Sequence, residues 1–122
     1  MECADFEELT MKLPPNVERR CLELAGQSAP KLSEKEFMAA VVALAKRNGF
    51  LVYHTYDSRK SEPGFLDLTM VRGCLLIFAE LKTDEGQLTA AQRNWYEALA
   101  QTFARVYVWR PRDWARIEEV LA

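Results

Sequence analysis

Two β-rich apolar runs, Leu66 to Val71 and Leu75 to Lys82, meet across Gly73-Cys74, and no other feature constrains the fold as much. A glycine at the first of two turn residues suits a type II′ hairpin. That turn sets Arg72 opposite Leu75. Counting back along the hairpin then puts Asp67 directly opposite Glu80, where facing Cβ atoms sit roughly 4.5–5.5 Å apart. Side chains alternate along a strand, so Glu80 and Lys82 share a face with each other and with Asp67. Facing carboxylates repel. Leu66, Leu68, Leu75, Leu76, Ile77, Phe78 and Leu81 make the surroundings apolar, so the trio is costly unless paired or ligated.

The residues alone leave two readings of this trio. Glu80 and Lys82 could form a structural ion pair, with Asp67 facing a loop. Alternatively, a hard divalent cation such as Mg²⁺ or Mn²⁺ could take the carboxylate oxygens.

The rest of the chain predicts what surrounds the hairpin. Ser33 and Glu36 form an S-x-x-E capping box. Phe37, Val41, Leu44 and Ala45 follow at helical spacing, and Asn48-Gly49 stops the helix. Phe50 to Tyr56 reads as a strand, and Asp57 to Gly64 as a polar loop. Thr83 to Leu88 is a second loop. Thr89 caps a helix running to about Gln101, with Gln92 completing its box. Arg105 to Trp109 is a fourth strand, and Pro111-Arg112-Asp113 opens a last helix to Leu121. The order α-β-β-β-α-β-α predicts an α/β fold with a mixed four-stranded sheet flanked by helices. The hairpin strands should be antiparallel, and the third and fourth strands, joined through a helix, parallel.

Residues 33–122 form the expected compact domain. Residues 1–32 read as an N-terminal extension: Pro14-Pro15 breaks the chain, a short helix spans Val17 to Ala25, and Gly26 stops it. With 122 residues, 49% of them apolar and 28% charged, the chain suits one globular domain and not wholesale disorder. It has no apolar run of membrane-spanning length and no basic leader before the acidic Met1-Glu2-Cys3-Ala4-Asp5. Cys3, Cys21 and Cys74 lack metal-ligand spacing and read as reduced thiols. A cytoplasmic protein, bacterial or phage-encoded, is the expectation. A net charge of −2 excludes a general polycation that coats nucleic acid. DNA binding would need a local basic patch, a bound metal, or both.

Gly64-Phe65-Leu66-Asp67 followed by Glu80-Leu81-Lys82 resembles the PD-(D/E)xK nuclease signature. More narrowly, it resembles the VRR-NUC branch, which includes small phage-encoded nucleases and the nuclease domain of the Fanconi-associated nuclease. Val52 to Arg59, Leu88 to Gln92 and Val108 to Pro111 are similar to stretches of the small stand-alone members, so the resemblance spans roughly residues 33–122. Leu66 stands where the family usually has proline, a backbone device and not a ligand. The resemblance implies a restriction-endonuclease-like fold and metal-dependent hydrolysis of DNA. It implies that Asp67 and Glu80 hold Mg²⁺ or Mn²⁺, with the Leu81 carbonyl as a possible third ligand, and that Lys82 handles the attacking water and the developing phosphate charge. It also implies an acid on the first helix. Glu34, on the core-facing stripe, is favoured over Glu36, which the capping box already explains.

Other candidates have bland alternatives. His54, the sole histidine, could rim the site or face solvent. Ser58, Arg59 and Lys60 could bind phosphate or form a solvated loop. Gln92 and Tyr96 share a Q-x-x-x-Y spacing found near related active sites, or are a cap and a core aromatic. Arg110 could line DNA or be surface charge. Similarity to small stand-alone relatives implies a homodimer that resolves four-way junctions, with Trp109, Trp114, Ile117 and Leu121 as a possible self-complementary surface or as core. A flap or nicking nuclease, or a catalytically silent DNA-binding scaffold on the same fold, are the alternatives.

Overall fold

A computed structural model describes residues 32–56 and 60–122. The extension expected over residues 1–32, apart from Leu32, and the helix expected over Val17 to Ala25 lie outside them. Helix α1 (Glu34–Arg47) starts on the capping box its sequence predicts: Glu36 N–H donates to Ser33 Oγ at 3.1 Å and Ser33 N–H to Glu36 Oε1 at 3.2 Å. Its buried stripe is Phe37, Ala40, Val41, Leu44 and Ala45. The helix ends in a Schellman motif, in which Phe50 N–H donates to the Ala45 carbonyl and Gly49 N–H to that of Lys46. Gly49 supplies the positive φ of 89° that this ending demands.

Strands β1 (Leu51–His54), β2 (Leu68–Arg72) and β3 (Leu75–Leu81) follow. Helix α2 (Ala90–Ala100), strand β4 (Arg105–Trp109), a 3₁₀ turn (Pro111–Asp113) and helix α3 (Trp114–Leu121) complete the chain. The sheet order is β1-β2-β3-β4, antiparallel at the first two junctions and parallel at the last. The α/β fold with a mixed four-stranded sheet is therefore present. Arg72 pairs with Leu75 and Leu68 with Ala79, the register expected from the turn. Gly73 has φ 58° and no non-glycine residue has positive φ among the described residues, which matches a type II′ turn.

Two strands are shorter than expected, each for a local reason. Phe50 does not join β1 because the Schellman motif takes its N–H. Leu66 and Asp67 do not join the β2–β3 ladder because the Asp67 side chain, not a main-chain carbonyl, accepts the Leu81 N–H. The last helix expected from Pro111 begins as a 3₁₀ turn, with Arg110 N–H capped by Asp113 Oδ2 at 2.9 Å.

One sheet face packs Leu68, Met70, Ile77, Ala79 and Leu81 against α1 and α3 in the main core. Trp109, Trp114, Ile117 and Leu121 lie in that core, none more than 3% exposed. Of the two readings left open for them, core and self-complementary surface, the packing selects core. The other face is covered by α2 only in part. Phe65 bridges it, edge-on to both Phe78 and Trp95 with centroids 5.9 and 5.0 Å away. Beyond α2 no described element covers the face, and Leu51 is 77% and Tyr53 62% exposed. Among the described residues no helix is long and apolar enough to cross a membrane.

Candidate active site

At the end of the sheet away from the hairpin turn, the chain opens a cleft of about 310 Å³. Asp67, Glu80, Leu81, Lys82, Glu34 and Gln92 all line it. Strand β3 supplies the centre. Its alternation turns Ala79 and Leu81 toward the core and Glu80 and Lys82 toward the α2 side. Asp67 comes from the chain entering β2, and its Oδ2 accepts the Leu81 N–H at 2.8 Å. That bond fixes the carboxylate beside Glu80. The N–H and carbonyl of a strand residue leave it on the same side, so the Leu81 carbonyl also faces the Asp67 side.

Glu80 is only 2% exposed, as buried as the core. Its Oε1 accepts a hydrogen bond from Gln92 Nε2 at 3.1 Å. Its Oε2 is buried with no partner among the described residues. Burial, and then the neighbouring Asp67 carboxylate, push the Glu80 carboxyl up to about 8, while the nearby Lys82 ammonium works the other way. Lys82 stands close enough for that effect, yet among the described residues it closes no ion pair with Glu80 or Asp67. The geometry therefore disfavours the structural ion pair allowed by the residues alone.

The helix-one acids separate as the capping box suggests. Glu36 is spent on Ser33, while Glu34, at the start of α1, lines the cleft. Glu62 also lines it and was not foreseen. It sits in an irregular loop with no periodicity to mark it. Among the described residues that line it, four are acidic (Glu34, Glu62, Asp67 and Glu80) and Lys82 is basic. Among the described residues no group of three His, Cys, Asp or Glu side chains is placed to hold a metal ion. Asp67, Glu80 and the Leu81 carbonyl could offer a smaller, open donor set of two carboxylates and a carbonyl. Such a set suits Mg²⁺ or Mn²⁺, hard ions that keep several waters. The unpartnered buried Oε2 of Glu80 fits that use.

Of the outer candidates, His54, Lys60 and Arg110 do not line the cleft. His54 ends β1 and packs its ring against Tyr56, with centroids 4.3 Å apart. Tyr56 itself is 89% exposed and lines the cleft, another residue missed from sequence. Lys60 is exposed outside the cleft. Arg110 uses Nη1 to donate to the carbonyls of Thr83 and Gly86, so it braces the loop after β3. Tyr96 is half-buried on α2 and does not line the cleft. Ser58 and Arg59 lie outside the described residues.

No family model matches the chain, and no curated protein matches it. A solved structure described as a VRR_NUC domain protein superposes on 75% of this chain and 87% of its own, with a TM-score of 0.59 and 23% identity. A likeness at that identity speaks to architecture, and this chain shares the fold of that VRR_NUC domain protein.

Proposed function

We propose that this chain is a divalent-metal-dependent endodeoxyribonuclease of the PD-(D/E)xK type, acting on branched DNA in the manner of a Holliday-junction resolvase. The observation that carries the reading is Glu80: a fully buried carboxylate with one unpartnered oxygen, beside a second carboxylate, at the floor of a cleft. A fold keeps such a group only if something offsets the cost. The lining charge supports the same conclusion. The described lining holds more carboxylates than ammonium groups, and such a surface repels a phosphate backbone unless a cation reverses its sign.

Asp67 and Glu80, with the Leu81 carbonyl, are the residues that would hold Mg²⁺ or Mn²⁺. When bound, that ion supplies Lewis acidity at the phosphate and makes water more acidic. The chain's own groups do the rest. The Leu81 N–H anchors Asp67 Oδ2, so this carboxylate needs no reorganisation. Lys82 would orient the attacking water and steady the negative charge that grows on the phosphoryl oxygens. Water adds to phosphorus, one P–O ester bond breaks, and the products are a phosphate monoester and a hydroxyl end. A two-fold dimer would set one cleft on each of two symmetry-related junction strands.

A flap or nicking nuclease is the second reading. The burial of Trp109, Trp114, Ile117 and Leu121 favours it, because it removes the surface named for the dimer. Four-way junction, flap, splayed-arm and duplex DNA, each with Mg²⁺, Mn²⁺ or EDTA, separate these readings when combined with light scattering of the protein. Paired nicks in the junction by a dimer are expected. Flap cutting by a monomer with intact junctions promotes the second reading, and no cutting of any DNA overturns both.

A further inference from the structure

Gln92 carries two hydrogen bonds on one amide. Its Oε1 accepts the Thr89 N–H at 2.9 Å, and its Nε2 donates to Glu80 Oε1 at 3.1 Å. The first bond dictates the second. An amide has one carbonyl and one NH₂, so engaging the oxygen in the cap turns the NH₂ toward the carboxylate. The Thr89 hydroxyl completes the box by accepting the Gln92 N–H at 3.1 Å. The start of α2 is also wedged from the other side. Gly64, with φ 87°, lies so close that a Cβ there would come within 2.7 Å of the Ala91 Cβ. The first turn of α2 therefore has little room to move relative to the cleft.

We propose that Gln92 is a positioning residue for Glu80 and not a DNA contact. The capping box of α2 doubles as the support that turns one Glu80 oxygen to the protein and leaves the other for a cation. Gln92 Nε2 is the amide donor set on Glu80 Oε1, and the residue sits where the helix cap and the cleft meet. The inference rests on the metal reading above. It makes a capping residue, ordinarily interchangeable for helix stability, specific for this site.

The test titrates Mn²⁺ alone into the full chain by calorimetry and follows thermal unfolding in EDTA. Gln92→Met and Gln92→Ser both remove the amide from Glu80 while leaving the Thr89 hydroxyl its main-chain partner. Thr89→Ala removes the hydroxyl cap and keeps the Gln92 amide. Both Gln92 variants are expected to weaken Mn²⁺ binding about 10–100-fold, the usual cost of losing a group that orients a metal ligand. Thr89→Ala is expected to lower the melting midpoint by about 4–8 °C with little change in Mn²⁺ affinity. Parent-like Mn²⁺ binding by the folded Gln92 variants, with Asp67→Asn binding none, overturns this inference alone. Equal weakening by Thr89→Ala reduces the effect to helix-end stability and overturns it too. Asp67→Asn binding Mn²⁺ as the parent does overturns the metal reading beneath it.

Discussion

The two ends of the β2–β3 hairpin treat charge in opposite ways. At the turn end, the Arg72 guanidinium lies over the Phe50 ring at 4.4 Å. Its Nη1 donates to the Asn48 carbonyl at 3.0 Å and its Nη2 to the Ala122 carbonyl at 2.9 Å. Asn48 Nδ2 donates to the Leu121 carbonyl at 2.8 Å. The cation thus ties the end of α1, the hairpin and the end of α3 together. At the cleft end, Glu80 is buried with one oxygen unpartnered and a second carboxylate alongside. At the turn end the fold furnishes carbonyl partners for both terminal nitrogens of a half-buried cation. At the floor of the cleft one Glu80 oxygen has no hydrogen-bond partner among the described residues, a cost that a bound cation would offset under the proposed function, and that contrast marks the cleft end as the candidate site.

The sharpest way to break the contrast is Lys82→Ala. Lys82 is half-buried and makes no ion pair with the carboxylates among the described residues, so its loss should leave the melting midpoint nearly unchanged. Under the proposed function, cleavage should fall by about 100–1,000-fold, the usual cost of removing one preorganised contact to developing charge. DNA binding, measured by fluorescence anisotropy in Ca²⁺, should persist. Near-parent turnover would make Lys82 a bystander.

The Glu80 carboxyl offers a pH test of the same end. Folding raises its pKa from 4.5 to about 8. Between those values the folded chain holds a proton that the unfolded chain has released. The contribution of Glu80 is therefore fully present below the lower value and is lost as pH rises through the upper one. In EDTA the melting midpoint should fall as pH rises from about 5 to about 8, by an amount on the order of a few kcal/mol in stability. Glu80→Gln, neutral at every pH, should flatten this slope and be the more stable protein at the alkaline end. A parent slope unchanged by Glu80→Gln would place the titration elsewhere. Saturating Mn²⁺ should also flatten it, because the ion replaces the proton.

How far all this was legible in the sequence depends on what kind of interaction decided each feature. The helix starts were legible because Ser33–Glu36 and Thr89–Gln92 are local boxes, read three residues at a time. The hairpin register was legible because Gly73 limits the turn, and counting from it carried Asp67 to Glu80. The start of β2 was not, because a side chain displaced a main-chain acceptor at Leu81, and no periodicity shows that substitution. Glu62 and Tyr56 were hidden for a related reason: irregular loops bring residues to a cleft without a repeat to announce them. Arg110 looked like a free surface cation, but its work on the Thr83 and Gly86 carbonyls depends on loop geometry more than twenty residues away. The late apolar residues could have been core or interface on pattern alone, and only the packing of α3 against α1 decided for core.

The smallest expected effect tests the turn end. Arg72→Met keeps a long apolar stem over Phe50 and so preserves most of the packing. It removes the two terminal donors that hold the Asn48 and Ala122 carbonyls. Ala122 is exposed, so water can replace its partner at little cost. Asn48 is half-buried, and its carbonyl is the one that suffers. One hydrogen bond to a charged donor is worth about 1.5–3 kcal/mol, and the packing Met retains offsets part of it. The net loss should be about 1–2 kcal/mol by urea unfolding, with cleavage and Mn²⁺ affinity unchanged where the variant is folded. Arg72→Lys should do no better, because an ammonium cannot span both carbonyls as the fork does. A loss of Mn²⁺ affinity in either variant would mean that the two ends are coupled through β2 and β3, and that the turn end supports the cleft as well as the fold.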